Sequence, residues 1–423
     1  MTVVTINKQQ YLYVFILAAS MMIMMVRPLL AASILDRVEF SKYSIGMLIS
    51  SSFTMVGCFG LQLMLQRDMP SNIISGNLRK SVTALFSSII ISFIFLLFLI
   101  VACFSFMFTL SSLGTLGVII ALLNGFSQQV FILSTIESRS SGKYLVFSFQ
   151  NLIRASFVFS AMFLVVSLTN SAIDAMLVEF ITSLVVSYTI IYKLLIRYCL
   201  RIKSMFILSF RNILKLKWKT PLSLMSTVVL GYLLLNIDRW VAVKTLDAII
   251  YSDYALAAIV LMAAQSVQSI INSSVFSSLV IRRKKRNSKE CFTLAKTVSI
   301  TLLVVGLLVC IPGYFIIKGF VLYFYPDYIL SISIVPVFMA AGLFRASDIW
   351  SSYLIVIGEE KLLSIINVFI IFLSLLIWLF VVYFMGISLL IVSYLALLSS
   401  SLGYVTVMLV SSSISNRSAT DLI

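Results

Sequence analysis

The feature that most restricts how this chain can fold is its succession of apolar runs, many of them long enough to cross a lipid bilayer. Residues 87–104 and 362–384 are apolar on every face rather than at alternate positions. In lipid a backbone must satisfy its own hydrogen bonds, which leaves helices or a closed barrel, and barrel strands alternate apolar and polar residues. Only 11% of the residues are charged, against roughly a quarter in soluble proteins. The chain is therefore predicted to be an all-α membrane protein.

Polar residues divide these runs into twelve predicted spans. The connections between the spans are short, so no separate soluble domain is expected and functional residues must lie in the helices or their loops. The predicted spans cover residues 11–33, 44–65, 81–104, 113–133, 145–168, 174–196, 221–238, 253–278, 294–316, 329–356, 362–384 and 387–410.

The distribution of lysine and arginine predicts how the spans are oriented. Cytoplasmic loops carry an excess of these residues. Of the 31 in this chain, 23 lie at the N-terminus, in the loops after even-numbered spans or in the C-terminal tail. Both termini are therefore predicted to face the cytoplasm, and the formal net charge of +16 follows mainly from this topology.

Two of the cytoplasmic stretches are strongly basic. Residues 193–219 interleave eight basic residues with bulky apolar ones. This pattern predicts an amphipathic segment that lies on the inner leaflet and joins two halves of the protein; a plain linker is the alternative. Residues 282–286 resemble a nucleic-acid-binding patch. Because a basic run between two spans is typical of a positive-inside anchor, no nucleic-acid partner is expected.

A repeated motif divides the chain at nearly half its length. Residues 35–43 and 246–254 follow the first and the seventh span, lie 211 residues apart and are identical at four of nine positions. Six spans separate the copies, so both halves enter the membrane in the same orientation, as in transporters built by parallel duplication. We predict two pseudo-symmetric six-helix bundles that hold a substrate between them. The predicted domains are residues 1–200, the basic linker 201–220 and residues 221–423.

Several short motifs resemble those of the Wzx-type flippases and related polysaccharide exporters, a branch of the multidrug/oligosaccharidyl-lipid/polysaccharide exporter (MOP) superfamily. The clearest is Glu-Phe-Ser-Lys-Tyr in the first outer loop, where that family commonly has Glu-Phe-Gly-x-Tyr. Ser41 and Ser252 replace the usual glycines. The similar segments are residues 39–43, 238–239, 254, 324–328 and 358–361.

The resemblance implies a fold like that of the MOP transporters, including the MATE exporters, and a specific cargo. That cargo would be an undecaprenyl-diphosphate-linked oligosaccharide, such as an O-antigen or other surface-polysaccharide repeat unit. It would pass from the cytoplasmic to the periplasmic leaflet of the bacterial inner membrane. The implied partners are inner-membrane lipids, a polysaccharide polymerase and a chain-length regulator, and no cofactor is implied.

Three arginines, Arg27, Arg154 and Arg345, fall inside predicted spans. A charge near the bilayer centre costs about 2.5–3.5 kcal/mol on insertion scales, so each is a candidate functional residue. Guanidinium groups keep their charge and bind phosphate oxygens bidentately, which favours a site for a diphosphate or an acidic sugar in a water-filled cavity. Amide side chains that could bind sugar hydroxyls are Gln150, Asn151, Gln265, Gln268 and Asn272.

The same charges have simpler explanations that the sequence leaves open. Arg345 and Asp348 are three residues apart and could neutralise each other. Arg27 could reach the outer headgroups, and Arg154 could pair with Glu179 on a neighbouring helix. Alternatively, Glu179 and Asp348 could bind a coupling H⁺ or Na⁺.

Catalytic chemistry finds little support in the sequence. The chain has no histidine and its five cysteines are far apart, so no catalytic residue, metal site or cofactor is predicted. A membrane glycosyltransferase or polysaccharide polymerase commonly has a long outer loop or an acidic metal-binding motif, and the sequence has neither. A cation-coupled multidrug exporter of the same superfamily is the main alternative, although the charges inside the spans favour an anionic cargo.

Overall fold

The computed structural model describes residues 8–105, 113–284 and 288–420, and every regular element in these ranges is a helix. Eleven of these helices are long and apolar enough to cross a membrane, and a bent pair brings the number to twelve. The predicted all-α fold class is thus confirmed, whereas the cytoplasmic position of the termini stays a prediction. Two residues of the basic run, Lys285 and Arg286, lie outside the described ranges.

The chain divides into two compact units, Met1–Val228 and Val229–Ile423. The first unit contains α1 (Lys8–Ile34), α2 (Arg37–Val56), α3 (Leu61–Ile74), α4 (Leu78–Ser105), α5 (Gly114–Ser140), α6 (Tyr144–Thr169), α7 (Ala172–Arg197) and α8 (Ile202–Leu214). Helix α9 (Lys219–Thr245) contains the boundary. The second unit continues with α10 (Ala248–Lys284), α11 (Ser288–Phe324), α12 (Ser331–Ser347), α13 (Trp350–Ile357), α14 (Glu360–Met385) and α15 (Leu389–Thr420).

Helix α5 lies at the centre of the first unit. It packs against α2, α4 and α7, and most of its residues are buried. Helices α6 and α7 pack against each other, and α1 packs on α6. Since other helices enclose α5, its polar residues face protein rather than lipid, which is where polar groups are tolerated inside a membrane.

The second predicted span, 44–65, consists of two helices. Helices α2 and α3 meet at an angle of 51°. Phe59 and Gly60, between them, have φ angles of 50° and 79°. Glycine adopts this left-handed conformation freely, whereas a bulky residue such as Phe59 seldom does. The change of direction therefore lies at these two residues.

The tenth predicted span, 329–356, is also interrupted. Helix α12 ends at Ser347, and Asp348 accepts hydrogen bonds from the backbone N and the Oγ of Ser351 at 3.2 and 2.7 Å. The carboxylate thereby caps the start of α13. Gly358 then ends α13 with a φ of 92°, a conformation that glycine adopts without strain.

The repeated motif forms the beginning of the second helix in each unit. Asp36 precedes α2 and accepts a hydrogen bond from the backbone N of Glu39 at 2.7 Å, and Asp247 stands at the equivalent position before α10. The last residue of each copy, Tyr43 or Tyr254, is fully buried. The repeat thus encodes a helix start followed by an inward-facing tyrosine.

The basic linker contains α8, which packs along α4. Ser209 Oγ donates to the carbonyl oxygen of Thr83 at 3.1 Å, and Asn212 Nδ2 donates to Ser87 Oγ at 3.1 Å. Its outward side carries the exposed apolar residues Ile202, Phe206, Ile207, Phe210 and Leu214. The segment is amphipathic, and its position on the inner leaflet stays a prediction.

Glu137 joins three helices at one end of the first unit. Its Oε1 accepts a hydrogen bond from the Tyr198 hydroxyl at 2.6 Å and lies 3.6 Å from Lys143 Nζ and 3.5 Å from Arg197 Nη1. Burial, together with the hydrogen bond to this carboxylate, raises the pKa of Tyr198 to about 12. The hydroxyl therefore remains protonated and continues to donate.

We expect Tyr198→Phe to lower the free energy of unfolding by about 1 kcal/mol, because Glu137 loses its shortest hydrogen bond. Thermal or denaturant unfolding of the purified protein in detergent measures the change. Tyr192→Phe is the matched control, since Tyr192 is 50% exposed and its ring stacks on that of Tyr188. Equal stability of the two variants would show that the Tyr198–Glu137 bond contributes nothing.

Candidate functional site

Five side chains from five helices form a group that we call the first-unit cluster: Arg27, Tyr43, Asn124, Arg154 and Glu179. Glu179 Oε2 lies 2.9 Å from Arg27 Nη1 and accepts a hydrogen bond from Asn124 Nδ2 at 3.1 Å. Its Oε1 accepts a hydrogen bond from the Tyr43 hydroxyl at 2.6 Å. Glu179 is 1% exposed, and three donors from three other helices supply the partners that a buried carboxylate needs.

Arg154 belongs to this cluster but has no carboxylate partner within the described residues. It interacts electrostatically with Arg27 and Glu179. Its Nε donates to Ser183 Oγ at 3.2 Å, and its guanidinium carbon lies 4.6 Å from the centre of the Phe131 ring. These contacts orient the guanidinium plane and leave both terminal nitrogens without a hydrogen bond in the described part of the chain. Such a fork can bind an oxyanion bidentately.

Four residues form a second-unit cluster: Asp238, Arg239, Tyr254 and Arg345. The Tyr254 hydroxyl donates to Asp238 Oδ2 at 2.5 Å, and Asp238 Oδ1 lies 3.7 Å from Arg345 Nη2. Arg345 Nε donates to Ser400 Oγ at 2.8 Å, and Arg239 Nη2 donates to a backbone carbonyl of α10 at 3.3 Å. The side chains of Asp238 and Arg345 are 0% and 1% exposed, so this ion pair is buried as well.

The five predicted amide side chains have two kinds of environment. Asn151 Nδ2 donates to the carbonyl oxygen of Phe147 at 2.8 Å, and Gln268 Nε2 donates to that of Asp348 at 3.2 Å. The other three each have a buried polar atom that lacks a hydrogen bond within the described ranges: Gln150 Oε1, Gln265 Nε2 and Asn272 Oδ1. Contact between these amides and a sugar stays a prediction.

The structure shows which partners the charged residues have, whereas the binding of a coupling ion by Glu179 or Asp348 stays a prediction. Arg345 pairs with Asp238 rather than with Asp348, which caps α13. Arg27 is 5% exposed and bonded to Glu179, so the explanation that it reaches the headgroups is wrong. Glu179 pairs with Arg27 at 2.9 Å, and within the described residues it makes no salt bridge with Arg154.

Comparison with known proteins gives the fold but no closer relationship. No protein-family model and no curated protein matches the chain. A mutant form of the Vibrio cholerae MATE transporter VcmN is 14% identical, with a TM-score of 0.67 and 97% of each chain covered. The eukaryotic MATE transporter AtDTX14 is 10% identical, with a TM-score of 0.66 and 97% of each chain covered. The fold is that of the MATE transporters.

A third solved structure widens the comparison within the MATE fold. It is a MOP superfamily transporter from Pyrococcus furiosus, 13% identical, with a TM-score of 0.65 over 96% of this chain and 95% of that one. These proteins are transporters rather than enzymes. At such identities the likeness shows the architecture alone, so the choice of cargo must come from the residues of this chain.

The sequence predicts Arg27, Arg154 and Arg345 as site residues of this MATE fold but not most of the residues that they contact. Ser183, Phe131 and Asn124 carry no local signal, because each meets its arginine or glutamate only through helix packing. Asp238 and Tyr254 belong to the segments that resemble the exporter family. The repeat could also have linked them to the first-unit cluster, because the offset of 211 that relates Tyr43 to Tyr254 relates Arg27 to Asp238 as well. In addition, α9 continues to Thr245, so Asp238 does not end the seventh span as predicted.

Both clusters therefore combine two arginines with one carboxylate that accepts a hydrogen bond from a repeat tyrosine. In the first unit the arginines are Arg27 and Arg154, and in the second Arg239 and Arg345. Each cluster has one positive charge in excess. The arrangement can therefore hold an anion, and neither cluster, as described, contains an unpaired carboxylate that would hold a cation.

Proposed function

We propose that the protein is a flippase that carries an undecaprenyl-diphosphate-linked oligosaccharide from the cytoplasmic to the periplasmic leaflet of the bacterial inner membrane. Solved MATE transporters have been described in outward-facing and inward-facing conformations, which supports export by alternating access. The charges of this chain support the choice of cargo.

Arg154 supports an anionic cargo more strongly than any other residue of the clusters. Its neighbours Arg27 and Glu179 already neutralise each other at 2.9 Å. The charge of Arg154 therefore has no counter-ion in the cluster. A lone guanidinium inside a membrane is costly unless it has a ligand or water. A diphosphate carries negative charge on each phosphate and presents the paired oxygens that a guanidinium fork binds best.

The excess of positive charge occurs in the second unit as well, where Arg239 and Arg345 accompany Asp238. For the transporter from Pyrococcus furiosus, a binding pocket of reverse polarity is said to suggest a different function. The proposed flippase fits the same principle, because the charge that lines a transport path selects against cargo of the same sign.

A cation-coupled multidrug exporter is the second candidate, and the MATE fold is equally compatible with it. The observation in its favour is the buried Glu179, held by Tyr43 and Asn124, because an acid inside a span can bind H⁺ or Na⁺. We favour the flippase because Glu179 already has Arg27 as its counter-ion. Binding of a coupling H⁺ or Na⁺ by Glu179 or Asp348 belongs to this second candidate and stays a prediction.

Complementation tests the proposed function directly. The gene is expressed in bacterial strains that each lack their own flippase for one surface glycan, and the glycan is measured on the cell surface. At least one strain should regain its glycan, and a transport-inactive Arg154→Ala variant present in equal amount should not restore it.

Two results would contradict the proposal in different ways. Resistance to cationic drugs without restoration of any glycan would favour the multidrug exporter. Glycan synthesis in a strain that lacks the polymerase rather than the flippase would show that the chain is an enzyme. The same strains and the same expression level serve all three measurements.

A further inference from the structure

The buried ion pair of the second unit, Asp238 and Arg345, is not closed by a hydrogen bond. Asp238 Oδ1 and Arg345 Nη2 lie 3.7 Å apart, beyond hydrogen-bond distance. Asp238 Oδ1 and both terminal nitrogens of Arg345 are buried and make no hydrogen bond with any described residue. In the first unit, by contrast, the Arg27–Glu179 pair is closed at 2.9 Å and hydrogen-bonded.

Both members of the open pair are fixed by bonds on the sides that do not face each other. The Tyr254 hydroxyl donates to Oδ2 of Asp238 at 2.5 Å, and Arg345 Nε donates to Ser400 Oγ at 2.8 Å. These bonds engage one carboxylate oxygen and one guanidinium nitrogen and leave the facing atoms unused. Four helices thus position two opposite charges that do not complete their contact.

A buried ion pair that lacks its hydrogen bonds lowers the stability of the fold. Buried donors and acceptors without a hydrogen bond destabilise the folded state, and charged ones do so more strongly. A shift of about 1 Å would close the contact to the usual length of a charge-assisted hydrogen bond, yet the bonds to Tyr254 and Ser400 oppose it. The atoms left over on Arg345 are the two terminal nitrogens, which are the pair that binds a phosphoryl group bidentately.

We infer that Asp238 is an internal competitor for an anion that binds Arg345. Without cargo, Asp238 provides a weak counter-charge for Arg345; when the cargo is present, its phosphoryl oxygens bind the two terminal nitrogens in place of the carboxylate. Asp238 then favours release of the cargo. The inference rests on the proposed function only for the identity of the cargo, because the site itself selects a phosphoryl or similar oxyanion.

Two substitutions at Asp238 should have opposite effects on anion binding. Asp238→Asn removes the competing charge but keeps the hydrogen-bonding shape, so binding of inorganic diphosphate should tighten about tenfold. Asp238→Glu adds one methylene, which lets the carboxylate reach Arg345 across the 3.7 Å gap. Its binding of diphosphate should weaken about three- to tenfold. A residue with a merely structural role would weaken binding in both variants.

Isothermal titration of the purified full-length protein in detergent with inorganic diphosphate measures these changes. When Arg345→Gln is also present, Asp238→Asn should no longer alter the affinity for diphosphate, because the guanidinium that both anions share is gone. Asp327→Asn is the matched control, since Asp327 is exposed in the same unit and its loss changes the net charge equally. Its affinity for diphosphate should equal that of the parent protein.

Measuring glycan export distinguishes a role of Asp238 in releasing the cargo from an effect on cargo binding alone. Because Asp238 promotes release, Asp238→Asn should bind diphosphate more tightly and export glycan about tenfold more slowly. Unchanged diphosphate affinity in both Asp238 variants, or no binding by Asp238→Asn, overturns the inference. If the Asp238→Asn protein does not remain monodisperse, the Arg345→Gln background decides: Asp238→Glu should weaken diphosphate binding in the parent protein and leave it unchanged when Arg345→Gln is also present.

If the proposed function is wrong, the glycan export and diphosphate affinity measurements give a different pattern of results. If no glycan is restored in any strain but the two Asp238 variants shift diphosphate affinity in opposite directions, the competitor role holds and the cargo is another oxyanion. If glycan export is restored but diphosphate affinity does not respond to Asp238, the flippase proposal holds and the role of Asp238 is wrong.

Discussion

Replacing Arg154 with alanine should reduce glycan export to about one hundredth of the parent level or less, while the amount of protein in the membrane stays the same. Truncating one partner of a buried charged contact costs about 2–5 kcal/mol, and about 3 kcal/mol corresponds to roughly a hundredfold. The fold should tolerate the change, because Arg154 makes one side-chain hydrogen bond, to Ser183, and one ring contact, with Phe131. Surface glycan and membrane-fraction protein are measured in the same cultures.

Two further variants make the Arg154 result specific. Arg154→Lys keeps the charge but loses the planar fork, so it should retain part of the export activity. Arg79→Ala is the matched control, because Arg79 is an exposed arginine at the start of α4 and should export normally. Normal export by Arg154→Ala would show that its guanidinium does not bind the cargo.

The spans could be predicted from the sequence because hydropathy alone decides which segments lipid accepts. All twelve predicted segments coincide with helices or with a helix pair. Where prediction failed, local geometry overrode composition: Phe59 and Gly60 turn the second span, and Asp348 interrupts the tenth. The seventh span continues past Asp238 because that charge is buried against Tyr254 rather than placed at the membrane surface.

The site was predictable in its charges and not in its pairings. Arg27, Arg154 and Arg345 are conspicuous because arginine is rare inside apolar runs. Their partners depend on which helices pack together, and hydropathy does not contain that information. Glu179, for example, lies on a helix that packs against α2, α5 and α6, yet its charged partner is Arg27 of α1.

The internal repeat also shows how the two clusters differ. Tyr43 and Tyr254 occupy equivalent positions, and each donates to a carboxylate. The equivalent residues Arg27 and Asp238, however, have opposite charges. Their counter-ions therefore lie on non-equivalent helices: Glu179 on α7 pairs with Arg27, and Arg345 on α12 pairs with Asp238. The tyrosine–carboxylate contact is therefore common to both units, whereas the polarity of the ion pair is reversed.

Among the cluster residues, Glu179 is the one whose replacement should lower the free energy of unfolding most, because it accepts bonds from Arg27, Tyr43 and Asn124. Glu179→Ala leaves Arg27 buried without a counter-ion and removes the acceptors of Tyr43 and Asn124. Breaking a buried pair in this way costs about 3–5 kcal/mol. Thermal unfolding in detergent should show a large destabilisation, whereas Glu360→Ala, at an exposed glutamate at the start of α14, should unfold as the parent protein does.

A double variant then separates the structural role of Arg27 from its predicted role in binding. Arg27→Met combined with Glu179→Gln removes both charges and keeps an amide oxygen for the Tyr43 hydroxyl, so most of the lost stability should return. If Arg27 also binds the cargo, as predicted, this stable protein should export less than about one tenth of the parent amount of glycan. Full export by the stable double variant would instead assign Arg27 to the fold alone and leave Arg154 as the binding arginine of the first unit.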